Sequence, residues 1–402
     1  MARLPLDQLR VIDLGSWVAG PAAATMMSDF GADVIKVEPP EGDPYRNVLA
    51  AQPVNYFWLL DARNKRSLAI DLKQDAGLAV LLRLIDVSDV FVTNYRTNLL
   101  QRLMLDYATL AKRNPGLIYA QITGYGETGP EADKTGFDVT TWWARSGLQD
   151  FMRAPGQKPI SSAPGMGDHP TASTLFGAIM MALYQRERTG KGSKVGTSLI
   201  ANGAWSNSMI LQGMVAGTDW VANRQADAPI VNALNSLYAT QDGRWVHLAL
   251  HNAGKEWPKL VRALNRIELL TDQRFVNAEA RAANAVELQR IIAETFAART
   301  LDEIKPSLQR EAVTFGFTAS PTEVINDPQL RATGVITPVA SPAEGYEVTI
   351  SSPIWMDGVT KRTPRTAPAL GQHSAKILAE IGVTAEEIEK LLAAKVLLVP
   401  NA

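Results

Sequence analysis

The 402-residue chain contains no cysteine. That absence excludes a thiol nucleophile, a disulfide framework, an iron–sulfur cluster and a thiolate zinc site. Histidine is nearly as scarce: His169, His247, His251 and His373 are too few and too scattered for a dedicated metal centre. His247 and His251 have an i,i+4 spacing, but no Glu lies between them and RWVHLALHN reads as a strand, so no metal is expected. Net charge is also missing, with 40 Lys and Arg against 41 Asp and Glu. A nucleic-acid partner is not expected without a clustered cationic excess. The longest apolar stretches, such as TLFGAIMMALY (174–184), fall short of the roughly 20 residues a membrane span needs. At the N-terminus, Asp7 interrupts MARLPLDQLRVIDLG before any apolar run, unlike a signal peptide. A soluble, cytoplasmic protein without a membrane partner is the expectation.

What is present is material for a large core: 46% hydrophobic and 20% charged residues. At about 150 residues per domain, two or three domains are expected. Strand-like RVIDLG (10–15), DVIKVEP (33–39), SLAIDL (67–72), DVFVTN (89–94) and LIYAQIT (117–123) alternate with helical runs. GPAAATMMSDFGA (20–32) is opened by Gly-Pro and closed by Gly31, and others lie at 73–88 and about 106–113. Such alternation predicts α/β architecture with a wound parallel sheet. Two long helices are predicted at about 171–188 and 197–217, joined by the turn RTGKGSKVG. NRQADAPIVNA (223–233) reads as a linker and 236–250 as a hairpin around Asp242-Gly243. Helices fill much of 254–314. From Pro321, short strands and proline-rich connections lead to a helix at 384–395, opened by the capping-box pair Thr384 and Glu387. Residues 1–222 therefore read as the N-terminal part of a large α/β domain, 223–320 as a smaller α+β domain, and 321–402 as a return to the first.

Three motifs carry chemistry. Gly124–Gly129 matches G-x-G-x-x-G, but Pro130 and EADKTG follow where a dinucleotide site needs a helix. The cations Arg46, Lys65, Arg66, Lys73, Arg96 and Arg102 follow β-type runs, where the ligands of wound sheets gather. They suit a polyanion, with Tyr95 available to stack on a base, or they simply solvate the surface. Asp168, in GMGDHPT, sits between a glycine turn and a helix. It reads either as an N-cap or as a nucleophilic carboxylate on a tight loop.

Taken in order, RVIDLGSWVAGPAAATMMSDFGADVIKVEPPEGDPYR, RNKRSLAIDLK, VTNYR, NPGLIYAQITGYGETGP, GFDVTTWW and GDHPTASTLFGAIMMALYQRERTGKGSKVGTSL resemble the class III CoA-transferases. This is the CaiB/BaiF-like family of formyl-CoA transferase and carnitine CoA-transferase. EVINDPQL (323–330) and the segment 367–391 are similar to its C-terminal region; the likeness is weakest at about 220–310. The resemblance implies a large α/β domain built from both chain ends, a smaller inserted domain and an interlocked homodimer. It implies an Asp nucleophile at Asp168, and acyl-CoA and a carboxylic acid as substrates, with no tightly bound cofactor. CoA contacts are implied at Trp17, Val18 and Ala19, at Ile70 and Lys73, and at Asn94, Tyr95, Arg96 and Arg102. Phe137, Asp138 and Trp142 are candidates for the acyl pocket, Trp142 and Trp143 alternatively filling the core. Pro39 replaces an arginine of formyl-CoA transferase, Trp17-Val18 replaces a pair containing glutamine, and no glycine-rich loop stands near 225–236. These departures point away from formyl or oxalyl substrates. A related racemase uses Gly-His-Asp where this chain has Gly136-Phe137-Asp138, and phenylalanine cannot shuttle a proton. His169 is expected to point away from Asp168, as turn neighbours do. A racemase, a hydrolase or a non-catalytic acyl-CoA-binding protein of this fold remain alternatives.

Overall fold

The computed structural model describes residues 3–49, 51–154, 156–218, 232–343 and 345–400. Its described residues form two compact units, one within Met1–Val221 and Gln329–Ala402, the other within Ala222–Pro328. Most of the stretch read as a linker, 223–231, lies outside the described residues.

The first unit is built on a seven-stranded sheet. Its strands are β1 (Arg10–Leu14), β2 (Asp33–Glu38), β3 (Arg66–Ile70), β4 (Val90–Thr93), β5 (Ile118–Thr123) and β6 (Lys194–Ser198), with β12 (Leu397–Leu398) at the edge. The order β12-β3-β2-β1-β4-β5-β6 is parallel except for β12, which runs antiparallel to β3. Both faces are covered, so these strands read as near-continuous apolar runs. On one face, Val11, Val34 and Val92 pack against Ala23 and Met27 of the helix Ala19–Asp29, beside the helix Asp168–Thr189. On the other, Ile12, Ile35 and Phe91 pack with Leu81 and Leu84 of the helix Asp75–Asp86 and with Ile377. Gly31, with a φ of 110°, makes the turn from the first helix into β2. A separate antiparallel pair joins β10 (Ile336–Ala343) to β11 (Tyr346–Ile350).

The sequence reading missed β6, placing a turn and a helix start there. The strand sits at the sheet edge, where only Ser198 is buried, and its polar KVGTS carries no apolar run. The stretch 197–217 is also two helices, Leu199–Ser206 and Ser208–Val215, separated at Asn207. Gly124–Gly129 leads into turns, as its sequence implied, and the next regular element is a π-helix, Val139–Arg145.

The second unit holds the antiparallel sheet β7 (Leu237–Ala239), β8 (Trp245–Leu248) and β9 (Phe315–Phe317), in the order β7-β8-β9. Val246 and Leu248 face a core with Trp257, Phe275 and Phe296, whereas His247 points outward. The last helix, Ala385–Ala393, opens with the capping box of Thr384 and Glu387.

Candidate functional site

The chain leaves β1 on one side and β4 on the other, so β1 and β4 form the switch point where wound sheets bind ligands. A cavity of about 660 Å3 opens at their carboxyl ends. Trp17, Val18 and Ala19 line it from the β1 loop, and Asn94, Tyr95 and Arg96 from the β4 loop. Phe137 and Asp138 line it as well, with Asp168 and His169.

The β1 loop is clamped by buried charges. Asp13 and Lys36 stand opposite one another in the β1–β2 register. The Lys36 ammonium pairs with Asp43 at 2.8 Å and also donates to the Gly15 carbonyl. The Lys65 ammonium donates to Asp13 and to the Pro21 carbonyl, each at 2.8 Å. Asp43 accepts from the Trp17 N–H at 3.2 Å, and Asn94 brackets Ser16 by accepting from its N–H and donating to its carbonyl. Burial pushes the Asp13 carboxyl up, but Lys36 and Lys65 outweigh it and hold it below the usual range. Held in this way, Trp17 adopts a φ of 62°, unusual for a large side chain. The sequence cations thus divide. Lys65 and the Arg46–Glu38 pair are internal, facing no ligand, whereas Arg66 pairs with the partly exposed Asp33.

Asp168 begins the helix Asp168–Thr189, after the turn Gly165-Met166-Gly167. Gly165 has a φ of 72°, and a Cβ on Gly167 would meet the Trp142 ring at 2.5 Å. The Gly167 N–H donates to Asp138 at 3.2 Å, which fixes the turn from the other side. Among the described residues the Asp168 carboxylate makes no hydrogen bond or ion pair, so its oxygens are open to an electrophile. Burial first, then the Asp138 carboxylate, push its pKa up to about 7; His169 partly offsets them. The position at the first helical turn favours the anion.

His169 and Asp168 begin one helix and line one cavity, but the ring nitrogens of His169 are directed at other partners. The His169 Nε2 faces Asp61 at 3.1 Å, and Nδ1 faces the Gly165 carbonyl at 3.2 Å. Both partners are acceptors, so the doubly protonated ring satisfies both contacts. Burial disfavours that cation, but the Asp61 hydrogen bond and charge outweigh it and raise the His169 pKa. Tyr45 completes the chain, its hydroxyl 3.5 Å from the second Asp61 oxygen. Asp61 and Tyr45 were invisible in sequence, because 108 residues separate Asp61 from His169.

Four candidates lie apart from this cavity's lining. Ile70 is fully buried against β12, opposite Leu397, so its side chain belongs to the core. Trp142 is buried behind Gly167, and Trp143 stacks on it at 6.2 Å. Lys73 is exposed after β3, and Arg102 is exposed at the end of the helix Thr97–Arg102.

Comparison with known proteins agrees with this architecture. A family model described as CoA-transferase family III matches residues 6–374. The chain is 31% identical to the (R)-2-hydroxy-4-methylpentanoate CoA-transferase of Clostridioides difficile, over 97% of this chain and 99% of that one. It is 32% identical to the succinate–glutarate CoA-transferase of Agrobacterium fabrum, over 94% and 96%. The crystal structure of a CaiB/BaiF family protein from Brucella suis superposes with a TM-score of 0.81 at 29% identity, covering 94% of this chain and all of that one. The chain belongs to CoA-transferase family III.

Proposed function

We propose that the enzyme moves CoA from an acyl-CoA to a carboxylic acid, with Asp168 as covalent nucleophile. An Asp168 oxygen attacks the thioester carbonyl, the C–S bond breaks, and CoA thiolate leaves an acyl-aspartyl anhydride. The thiolate then attacks the aspartyl carbonyl, expelling the donor acid and forming an aspartyl-CoA thioester. The acceptor carboxylate attacks this thioester to form a second anhydride. CoA thiolate finally attacks the acceptor's carbonyl, releasing the new acyl-CoA and regenerating Asp168. Each intermediate is an activated acyl donor, which suits a carboxylate nucleophile. The observation carrying this reading is an unpartnered carboxylate at a helix start, open to a cavity at the switch point.

Trp17, Val18 and Ala19, with Asn94, Tyr95 and Arg96, are assigned to CoA along the cavity. Lys73 and Arg102 are assigned to its outer, phosphate-bearing part. Ile70 is retained there through its main chain, since its side chain is buried. His169 has an acceptor at each ring nitrogen, hence no lone pair for removing an α-proton, which favours transfer over racemisation. A second copy of the chain, interlocked as the family resemblance implies, fits the exposed apolar surface of the first unit. Trp205 and Met209 are 79% and 85% exposed, with Met181, Tyr184 and Val215 also open. A cytoplasmic location remains part of this reading.

Intact-protein mass spectrometry after incubation with a panel of CoA thioesters tests it. A covalent CoA or acyl adduct in the parent protein, mapped to the Asp168 peptide and absent from Asp168→Ala, is expected. Bound CoA without any adduct would remove Asp168 as nucleophile.

A further inference from the structure

The two relatives described above carry names for different acids, one a branched 2-hydroxy monocarboxylate, the other a pair of dicarboxylates. Their names do not choose between these classes for this chain, but the side chains around Asp168 do. The loops after β1 and β2, the helix Tyr56–Ala62 and the segment before the π-helix bring four aromatic rings into one run along the cavity. Phe137 meets Trp17 edge to face at 5.6 Å, Trp17 lies 6.3 Å from Tyr45, and Tyr45 stacks on Phe57 at 5.9 Å. Val48 and Leu60 extend the same wall.

This run is tied to the nucleophile at both ends. At one end, Phe137 is followed by Asp138, which accepts from Gly167 next to Asp168. Toward the other, Tyr45, the ring before Phe57, reaches Asp61, which holds His169. Between these ends Asp168 and Asp138 line the cavity, and His169 beside them is committed to the buried Asp61. Of the other lining cations, Arg96 follows β4, and Lys134, in the turns before the π-helix, pairs with Glu131 at 2.7 Å. Arg46 is withdrawn to Glu38 and covers Trp58.

We propose that this wall receives apolar monocarboxylic acyl groups, aryl or branched alkyl, and rejects acyl groups carrying a second carboxylate. The inference rests on the acyl-transfer reading. An apolar acyl group buries its surface against Phe137, Trp17, Tyr45 and Phe57, and aromatic partners add edge and stacking contacts. A second carboxylate would lose water among these apolar side chains, the unpaired lining cation Arg96 being assigned to CoA. Since donor and acceptor are each joined in turn to Asp168, both occupy the same wall. The restriction therefore applies to both acids of the exchange.

The test compares adduct formation with phenylacetyl-CoA and 4-methylpentanoyl-CoA against succinyl-CoA and glutaryl-CoA. The apolar thioesters should react roughly 100-fold faster, the scale on which an ill-matched buried polar group is discriminated. Phe57→Ala and Phe137→Ala should erode that ratio by slowing the apolar donors more than succinyl-CoA. Val48→Arg, which supplies a cation, should narrow it by accelerating succinyl-CoA roughly tenfold. Equal rates for succinyl-CoA and the apolar thioesters would overturn the proposal and leave the transferase reading intact. Failure of every thioester, with CoA bound, would remove that reading and the proposal with it. Competition of the same thioesters for CoA binding to Asp168→Ala provides a readout without turnover. Apolar thioesters should bind more tightly there, and a preference for succinyl-CoA would refute the assignment.

Discussion

Asp168→Asn should stabilise the protein at alkaline pH and leave it unchanged in acid. The side chain is nearly isosteric, so packing is preserved while the ionised oxygen is lost. In the folded chain burial and Asp138 carry the Asp168 carboxyl from an ordinary 3.8 to about 7. At about 1.36 kcal/mol per pKa unit, that shift corresponds to about 4 kcal/mol; water entering the open cavity screens the charge, and about 2 kcal/mol is the working figure. The sign follows from proton linkage. Below pH 4 the group is protonated in folded and unfolded chains alike, and the variant should be neutral. As pH rises from about 4 to 7, the unfolded chain releases this proton while the folded chain retains it, so the parent protein loses stability relative to the variant. Above about 7 the difference is constant. Urea unfolding of both proteins at pH 4, 5.5 and 8 measures the gap directly. A variant no more stable than the parent at pH 8 would show that the ionised carboxylate is well accommodated, and would refute the electrostatic account of the site. A carboxylate held against folding but needed for reaction is an instance of stability given up at an active centre.

The same arrangement makes adduct formation pH-dependent. Only ionised Asp168 attacks, so the rate should climb through about pH 7. His169→Gln, by deleting the compensating cation, should move that rise to higher pH and slow the reaction roughly three- to tenfold at pH 7. An unmoved pH profile would confine His169 to a structural role. In the clamp beneath the β1 loop, Lys36→Met strands the buried Asp13 and Asp43 and should cost about 3–5 kcal/mol, read as a lower urea midpoint. A loss under 1 kcal/mol would mean that these carboxylates find water.

Much of the fold was legible because strands β1–β5 are short apolar runs punctuated by Gly, Pro and charged turns. β6 was not, since an edge strand needs little apolar surface and KVGTS has little. β12 contributes only two residues, too few for any periodicity. In the site, what lies within one motif could be read: Trp17 after β1, Asn94 after β4, and Asp168 before its helix. What depends on strand register could not. Asp13 and Lys36 are ordinary charged residues in sequence and become a buried pair only when β1 and β2 align. Asp61 looks like a helix-end acid and gains a role only because the helix Tyr56–Ala62 faces the start of the helix at Asp168. The distinction is physical. A cation after a strand has three fates: solvent, ligand or internal carboxylate, and the third is set by residues far away in the chain. Here it claimed Lys65, through the distant Asp13, and Arg46, through the nearer Glu38, while Arg66 pairs with the partly exposed Asp33. The cations thereby removed from the cavity are as informative as the residues that line it. With them committed elsewhere, the wall beside Asp168 is aromatic, and an apolar acyl group is the one that buries against it without a desolvated charge.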